Sequence, residues 1–149
     1  MNYSFAEQTK NFKSSAVRDI LAVIQQGNVI SFAGGLPSEE SFPLKEVQIA
    51  YEKVFASGKS SLQYGLTEGY KPLREAIKTK MEGKGVITPL ENMLITTGSQ
   101  QAIDLFSRVI LSTGDVVLTE DPTYLSALQV FRSYGANVVA VNSDEHGME

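Results

Sequence analysis

The chain has no cysteine. That excludes disulfides, thiolate metal centres and a cysteine nucleophile. It has one histidine, His146, in the polar segment "SDEHGME". It is read there as a solvated loop residue rather than a base, which argues against a Ser-His-Asp hydrolase or a histidine-rich metal centre. Positive charge is not in excess: 13 Lys and Arg stand against 17 Asp and Glu, a formal net charge of -4. Binders of nucleic acid or anionic membranes need a basic face, so neither class fits. No uncharged apolar run is long enough to span a bilayer. The N-terminus "MNYSFAEQTK" has no apolar signal-peptide core. With cysteine absent as well, a cytoplasmic location is the expectation. There is no internal repeat and no low-complexity linker.

What is present suits one globular domain: 149 residues, 42% hydrophobic and 20% charged. The segment "ISFAGGLPSEESFP", residues 30–43, starts like a short buried strand and breaks into glycines and two prolines. Such punctuation shapes a loop around something, because glycine allows close backbone approach and proline stiffens its turn.

Helical periodicity brackets this loop. The first helix is expected from Ser15 to Gln26, with Val17, Ile20, Leu21 and Ile24 on one face and Gly27 as its cap. The second runs from Pro43 to Ser57 with a stripe of Leu44, Val47, Tyr51 and Val54, and Gly58 ends it. "SSLQYGLTEGY" is a second loop. The third helix, Tyr70 to Glu82, has Pro72 in its first turn and Leu73, Ala76, Ile77 and Met81 facing inward. The texture then changes to strand ("NMLITT"), helix ("QAIDLFSRVIL"), strand ("DVVLTE"), helix ("TYLSALQVFRSY") and strand ("NVVAV"). That alternation predicts an α/β fold with a parallel sheet.

Two strand-to-helix turns carry candidate chemistry. In "LITTGSQQAIDLF", Gly98 lets the chain turn and Ser99 and Gln100 open the helix. Unpaired amide groups there carry partial positive charge and can cup a phosphate. The plain alternative is a structural turn with Ser99 or Thr97 as N-cap. Neither a G-x-G-x-x-G nor a GK[ST] phosphate motif is present. In "TEDPTYLSAL", Tyr124 opens the next helix. Ligands of parallel sheets bind beyond the strands' carboxyl ends, so Tyr124 belongs on the same edge as Ser99 and Gln100. A phosphate cup beside an aromatic ring suits a phosphorylated planar cofactor; the alternative is a core-edge tyrosine.

"SFAGGLP", "LQYGLTEGYKPLREAI", "LITTGSQQAIDL" and "EDPTYLSAL", in this order, resemble the N-terminal part of class I/II aminotransferases of pyridoxal phosphate (PLP) fold type I. The likeness is to the branch with 2-aminoadipate and multisubstrate transaminases and the aminotransferase-like domains of MocR regulators, and covers nearly the whole chain. It implies residues 1–43 as N-terminal helix and substrate loop. Residues 44–149 would be the first three strands and helices of a three-layer α/β/α large domain, incomplete. It implies PLP as cofactor, with Gly98, Ser99 and Gln100 at the phosphate and Tyr124 on the ring. Tyr64 would reach across a homodimer interface to the partner's cofactor phosphate. Gly35 would line the pocket near the substrate α-carboxylate. Arg18 would meet the substrate side chain, where a bidentate pair with a distal carboxylate is possible; its plain alternative is a solvated helix charge. The substrates implied are an amino acid and a 2-oxo acid.

The same resemblance implies what this stretch does not hold. Proteins of this type are well over twice as long. The Asn at the cofactor's ring oxygen, the Asp at the pyridine nitrogen, the Schiff-base lysine and the Arg for the substrate α-carboxylate would all come later. No lysine here sits in a matching motif, so no catalytic residue is assigned and the chain as given is expected to be inactive. Its strands would lie at opposite edges of the family's sheet, so it is not expected to build that sheet alone. Two other readings are a non-catalytic phosphate-binding or PLP-binding module and the aminotransferase-like part of a transcriptional regulator.

Overall fold

The computed structural model describes residues 3–6, 9–10, 16–24, 27, 30–32 and 35–149. The expected helix ends at Ser15, Gln25 and Gln26, the Val17 side chain, and Ala33 and Gly34 of the glycine loop lie outside the described residues. The chain divides into two compact units, Leu36–Thr96 and Met1–Gly35 with Thr97–Glu149. The division at residue 43 read from the sequence is one of roles within a larger fold, and contact within the chain does not bear on it.

In Leu36–Thr96 the helices form where periodicity places them. Helix α2 spans Leu44–Ala56 and α3 spans Lys71–Glu82. Pro43 stands just before α2, its carbonyl accepting the Val47 N–H at 3.0 Å. Past the Ser57 cap the chain leaves the helix through Gly58 at φ +91°. Pro72 lies in the first turn of α3, where no amide hydrogen is missed.

The stripes were expected to face inward, and here the structure differs. Leu44, Val47, Tyr51, Val54 and Leu73 are exposed, Ala76 too, and Ile77 and Met81 are half-buried. The one buried residue of α3 is Arg74. A stripe records which face a helix can bury; burial needs a facing element, which no sequence period supplies.

The segment 92–97, expected as a strand, is not one. Leu90–Asn92 forms a 3-10 turn, and Met93 follows with extended angles (φ -114°, ψ 129°). Ile95 donates its N–H to the Glu68 carbonyl at 3.0 Å. Among the described residues no strand lies alongside, and extended backbone becomes a strand only by pairing.

The other unit contains α1 (Ala16–Ile24), α4 (Gly98–Ile110), β1 (Val116–Glu120), α5 (Leu125–Ser133), β2 (Asn137–Val141) and a short antiparallel pair, β3 (Ser143–Asp144) with β4 (Gly147–Met148). Gly27, at φ +80°, donates to the Ile24 carbonyl at 3.2 Å, as expected of a cap. β1 and β2 pair in parallel, Val116 opposite Asn137 through Glu120 opposite Val141. The sheet therefore holds two of the three expected strands. The "SDEHGME" tail makes the β3–β4 turn rather than a plain loop, and His146 stays exposed in it.

α5 packs on α4 and on β2. Between them lies the small core: Ala127, Val130 and Ala136, with Thr119 of β1 and Ser107 of α4. On the uncovered face of the sheet Val116, Leu118 and Val139 remain exposed. Parallel sheets are normally covered on both faces.

Two polar bridges orient α4 against α5. Near the helix starts, the Gln100 Nε2 donates to the Ser126 carbonyl at 3.3 Å. Near the end of α5, the Tyr134 hydroxyl donates to Asp104 Oδ1 at 3.0 Å and accepts from Arg108 Nε at 3.2 Å. Low numbers meet low and high meet high, so the helices run parallel with both N-termini at one end. The Arg108 guanidinium is raised above its ordinary value, first by the hydrogen bond to Tyr134, then by the charges of Tyr134 and Asp104.

Candidate phosphate-binding turn

The end of the unit where α4 and α5 begin is the candidate site. Gly98 opens α4 at φ +80°, a left-handed angle that glycine takes without strain, and a Cβ built there meets nothing within 4 Å. Thr97 makes no side-chain cap bond. The amides of Ser99 and Gln100 therefore belong to a helix start with no cap from its N-cap residue. Gln101 turns back instead, its Oε1 accepting the Thr97 backbone N–H at 2.5 Å.

That bond was not anticipated. The pattern Thr97-x-x-Gln100 is the spacing of a capping box, in which Gln100 would reach back. Here Gln101, one residue further on, makes that bond. Gln100, expected at the phosphate, has its side-chain amide on Ser126 of α5.

Tyr124 immediately precedes α5 and is 55% exposed. Its carbonyl accepts the N–H groups of Ala127 at 3.1 Å and Leu128 at 3.4 Å, which fixes its backbone to the first turn of α5. The Asp121–Pro122 peptide just upstream is cis. The start of α4 is joined to the first turn of α5, which Tyr124 precedes, through the Gln100 side chain.

The remaining candidates are not part of that cluster. Arg18 is exposed on α1, and Gly35 has φ +56° with open space around it. Among the described residues no bond joins either to the α4 turn. Tyr64 belongs to Leu36–Thr96 and is 98% exposed, its N–H taken by Gln63 Oε1 at 2.8 Å. The turn itself offers hydrogen-bond donors and an aromatic ring, with the Asp121 carboxylate three residues before Tyr124. Among the described residues no group of three His, Asp or Glu side chains could hold a metal, and no helix is long and apolar enough to cross a membrane.

Residues 27–149 match the family described as Aminotransferase class I and II. The chain belongs to this family. An aromatic-amino-acid aminotransferase 1 of Thermococcus litoralis is 40% identical over 147 residues, covering 97% of this chain and 35% of that protein. A 2-aminoadipate transaminase of Thermus thermophilus is 41% identical over 145 residues, with the same 97% and 35%. The crystal structure of Pyrococcus horikoshii kynurenine aminotransferase, in complex with PMP and KYN as substrates and KYA as products, superposes with a TM-score of 0.85. It is 36% identical, over 97% of this chain and 36% of that one. The chain thus spans about a third of the length of the aminotransferases it matches, and its architecture is part of the PLP fold type I large domain.

The family implies PLP. The residues present fit the phosphate end of that group: the Ser99 and Gln100 amides in the first turn of α4, a glycine where an added Cβ would meet nothing, and an exposed ring on the neighbouring turn.

Proposed function

We propose that this chain is the phosphate-holding part of a PLP-dependent aminotransferase that moves an amino group from an amino acid to a 2-oxo acid. The observation that carries the reading is the joined start of α4 and α5, where Gln100, following Gly98 and Ser99, bonds to the first turn of the helix that Tyr124 precedes. When bound, PLP supplies the electron sink for breaking bonds at the amino acid's α-carbon. The chain's own part is binding and orientation. The Ser99 and Gln100 amides hold the phosphate dianion through hydrogen bonds and the helix's partial charge. Tyr124 covers one face of the ring and keeps water from it. Gly35 leaves room for the substrate backbone.

A proline at position 99 tests the cup directly. Proline is tolerated in a helix's first turn and removes one amide hydrogen without removing the turn. Ser99→Pro is expected to weaken inorganic phosphate binding by roughly tenfold, the worth of one charge-assisted bond. Ser99→Ala, which keeps the amide, should cost far less. Titration calorimetry of the full chain reads both; equal affinities for Ser99→Pro and the parent would sink the cup.

Arg18 points to substrates with a second carboxylate, because a guanidinium pairs with one in bidentate fashion. In the active protein, Arg18→Ala is expected to raise KM for a dicarboxylic amino acid by roughly tenfold while leaving an apolar one unchanged, the difference of one such pair. Equal changes for both substrates would place Arg18 among the solvated helix charges.

A further inference from the structure

Gln100 stands at the phosphate cup, and its side chain bonds to the neighbouring helix. Its Nε2 donates to the Ser126 carbonyl at 3.3 Å. Ser126 lies in the first turn of α5, the turn whose amides bind the Tyr124 carbonyl. Capping of α4, the other job open to Gln100, is done by Gln101. The two helices are bridged again at the end of α5, at Tyr134. The Gln100 amide is thus the side-chain bridge at the ligand end of the pair.

We propose that Gln100 is a positioning residue: its side-chain amide holds the first turn of α5 and so sets the place of the Tyr124 ring beside the cup. Its backbone N–H, not its side chain, faces the anion. This rests on the phosphate-cup reading above and deepens it. One residue then couples the two halves of the site, the phosphate end through its main chain and the ring face through its side chain.

Two probes separate the roles, because inorganic phosphate uses the cup alone and PLP uses the cup and the ring. In the apo form of the full chain, Gln100→Leu removes the donor and keeps the bulk. It is expected to bind inorganic phosphate within about twofold of the parent, and PLP three- to tenfold more weakly, the range of one neutral hydrogen bond. In a Tyr124→Ala background the same change should cost PLP nothing further, since the ring it positions is gone. Gln100→Met serves as a second donor-free variant, and circular dichroism confirms that each variant is folded. Equal weakening for both probes would make the side chain a direct phosphate ligand and overturn the proposal. So would additive losses in the double variant. If the parent binds no phosphate, or Ser99→Pro binds it equally well, the cup itself fails and the positioning role with it. That outcome is distinct, because it is read in chains with Gln100 intact.

Discussion

Gly69→Ala is expected to destabilise the fold by about 3 kcal/mol, the largest effect of a Gly→Ala change among the described glycines. Two costs add. Gly69 has φ +100°, where an L-residue's Cβ crowds its own backbone. The new Cβ would also lie 2.5 Å from Ile95 Cγ1 and 2.7 Å from Ile95 Cβ. The Ile95 Cβ is fixed to the backbone, so a rotamer change that moves Cγ1 leaves the 2.7 Å contact in place. Ile95 is further held by its own N–H on the Glu68 carbonyl at 3.0 Å. The glycine exists so that the turn ending in Tyr70 can lie against the segment 93–96. Urea unfolding of the full chain reads the loss. Gly98→Ala is the control: its φ of +80° costs about 1 kcal/mol, but its Cβ meets nothing. Equal midpoints for Gly69→Ala and Gly98→Ala would show that the Ile95 contact carries no weight.

The second large effect belongs to Arg74, which is 7% exposed. Its Nη1 donates to the Leu90 carbonyl at 3.0 Å and to the Met93 carbonyl at 3.5 Å, while its buried Nε has no partner. A buried guanidinium is costly to desolvate, and here carbonyl dipoles of the 3-10 turn offset that cost. Arg74→Met keeps the apolar stem and leaves those carbonyls without their donor. The expected loss is about 2 kcal/mol, less than a bare sum of two bonds because the unpartnered Nε is removed as well. A gain in urea midpoint would mean that the desolvation of Nε outweighs both bonds. Arg108 is the counterexample of the same residue type: its bonds to Tyr134 and Asp104 lie in solvent, where salt screens them.

Neither Gly69 nor Arg74 was legible beforehand. "TEGYKPLREAI" marks a turn and a helix start, and on a helical wheel Arg74 belongs with the solvated residues beside Leu73. What reverses this is the turn Leu90–Asn92, sixteen residues on, which brings carbonyls to the arginine. In the same way, nothing in "LITTGSQQAIDLF" assigns the Thr97 amide to Gln101 or the Gln100 side chain to α5; the structure shows both bonds.

The sequence by itself determined the local elements and the family. Helical period, the prolines at the starts of α2 and α3, and the glycines after helices α1 and α2 place those elements to within a few residues, because they act through backbone geometry over one or two turns. The four motifs are equally local, which is why the aminotransferase likeness could be read from them. Tertiary structure alone decided which faces are buried and which extended segment becomes a strand. "NVVAV" pairs with "VVLTE" because α5 returns the chain alongside β1. "NMLITT" pairs with no strand among the described residues. Burial and strand ladders are properties of two segments at once, and their partners lie far apart in the chain.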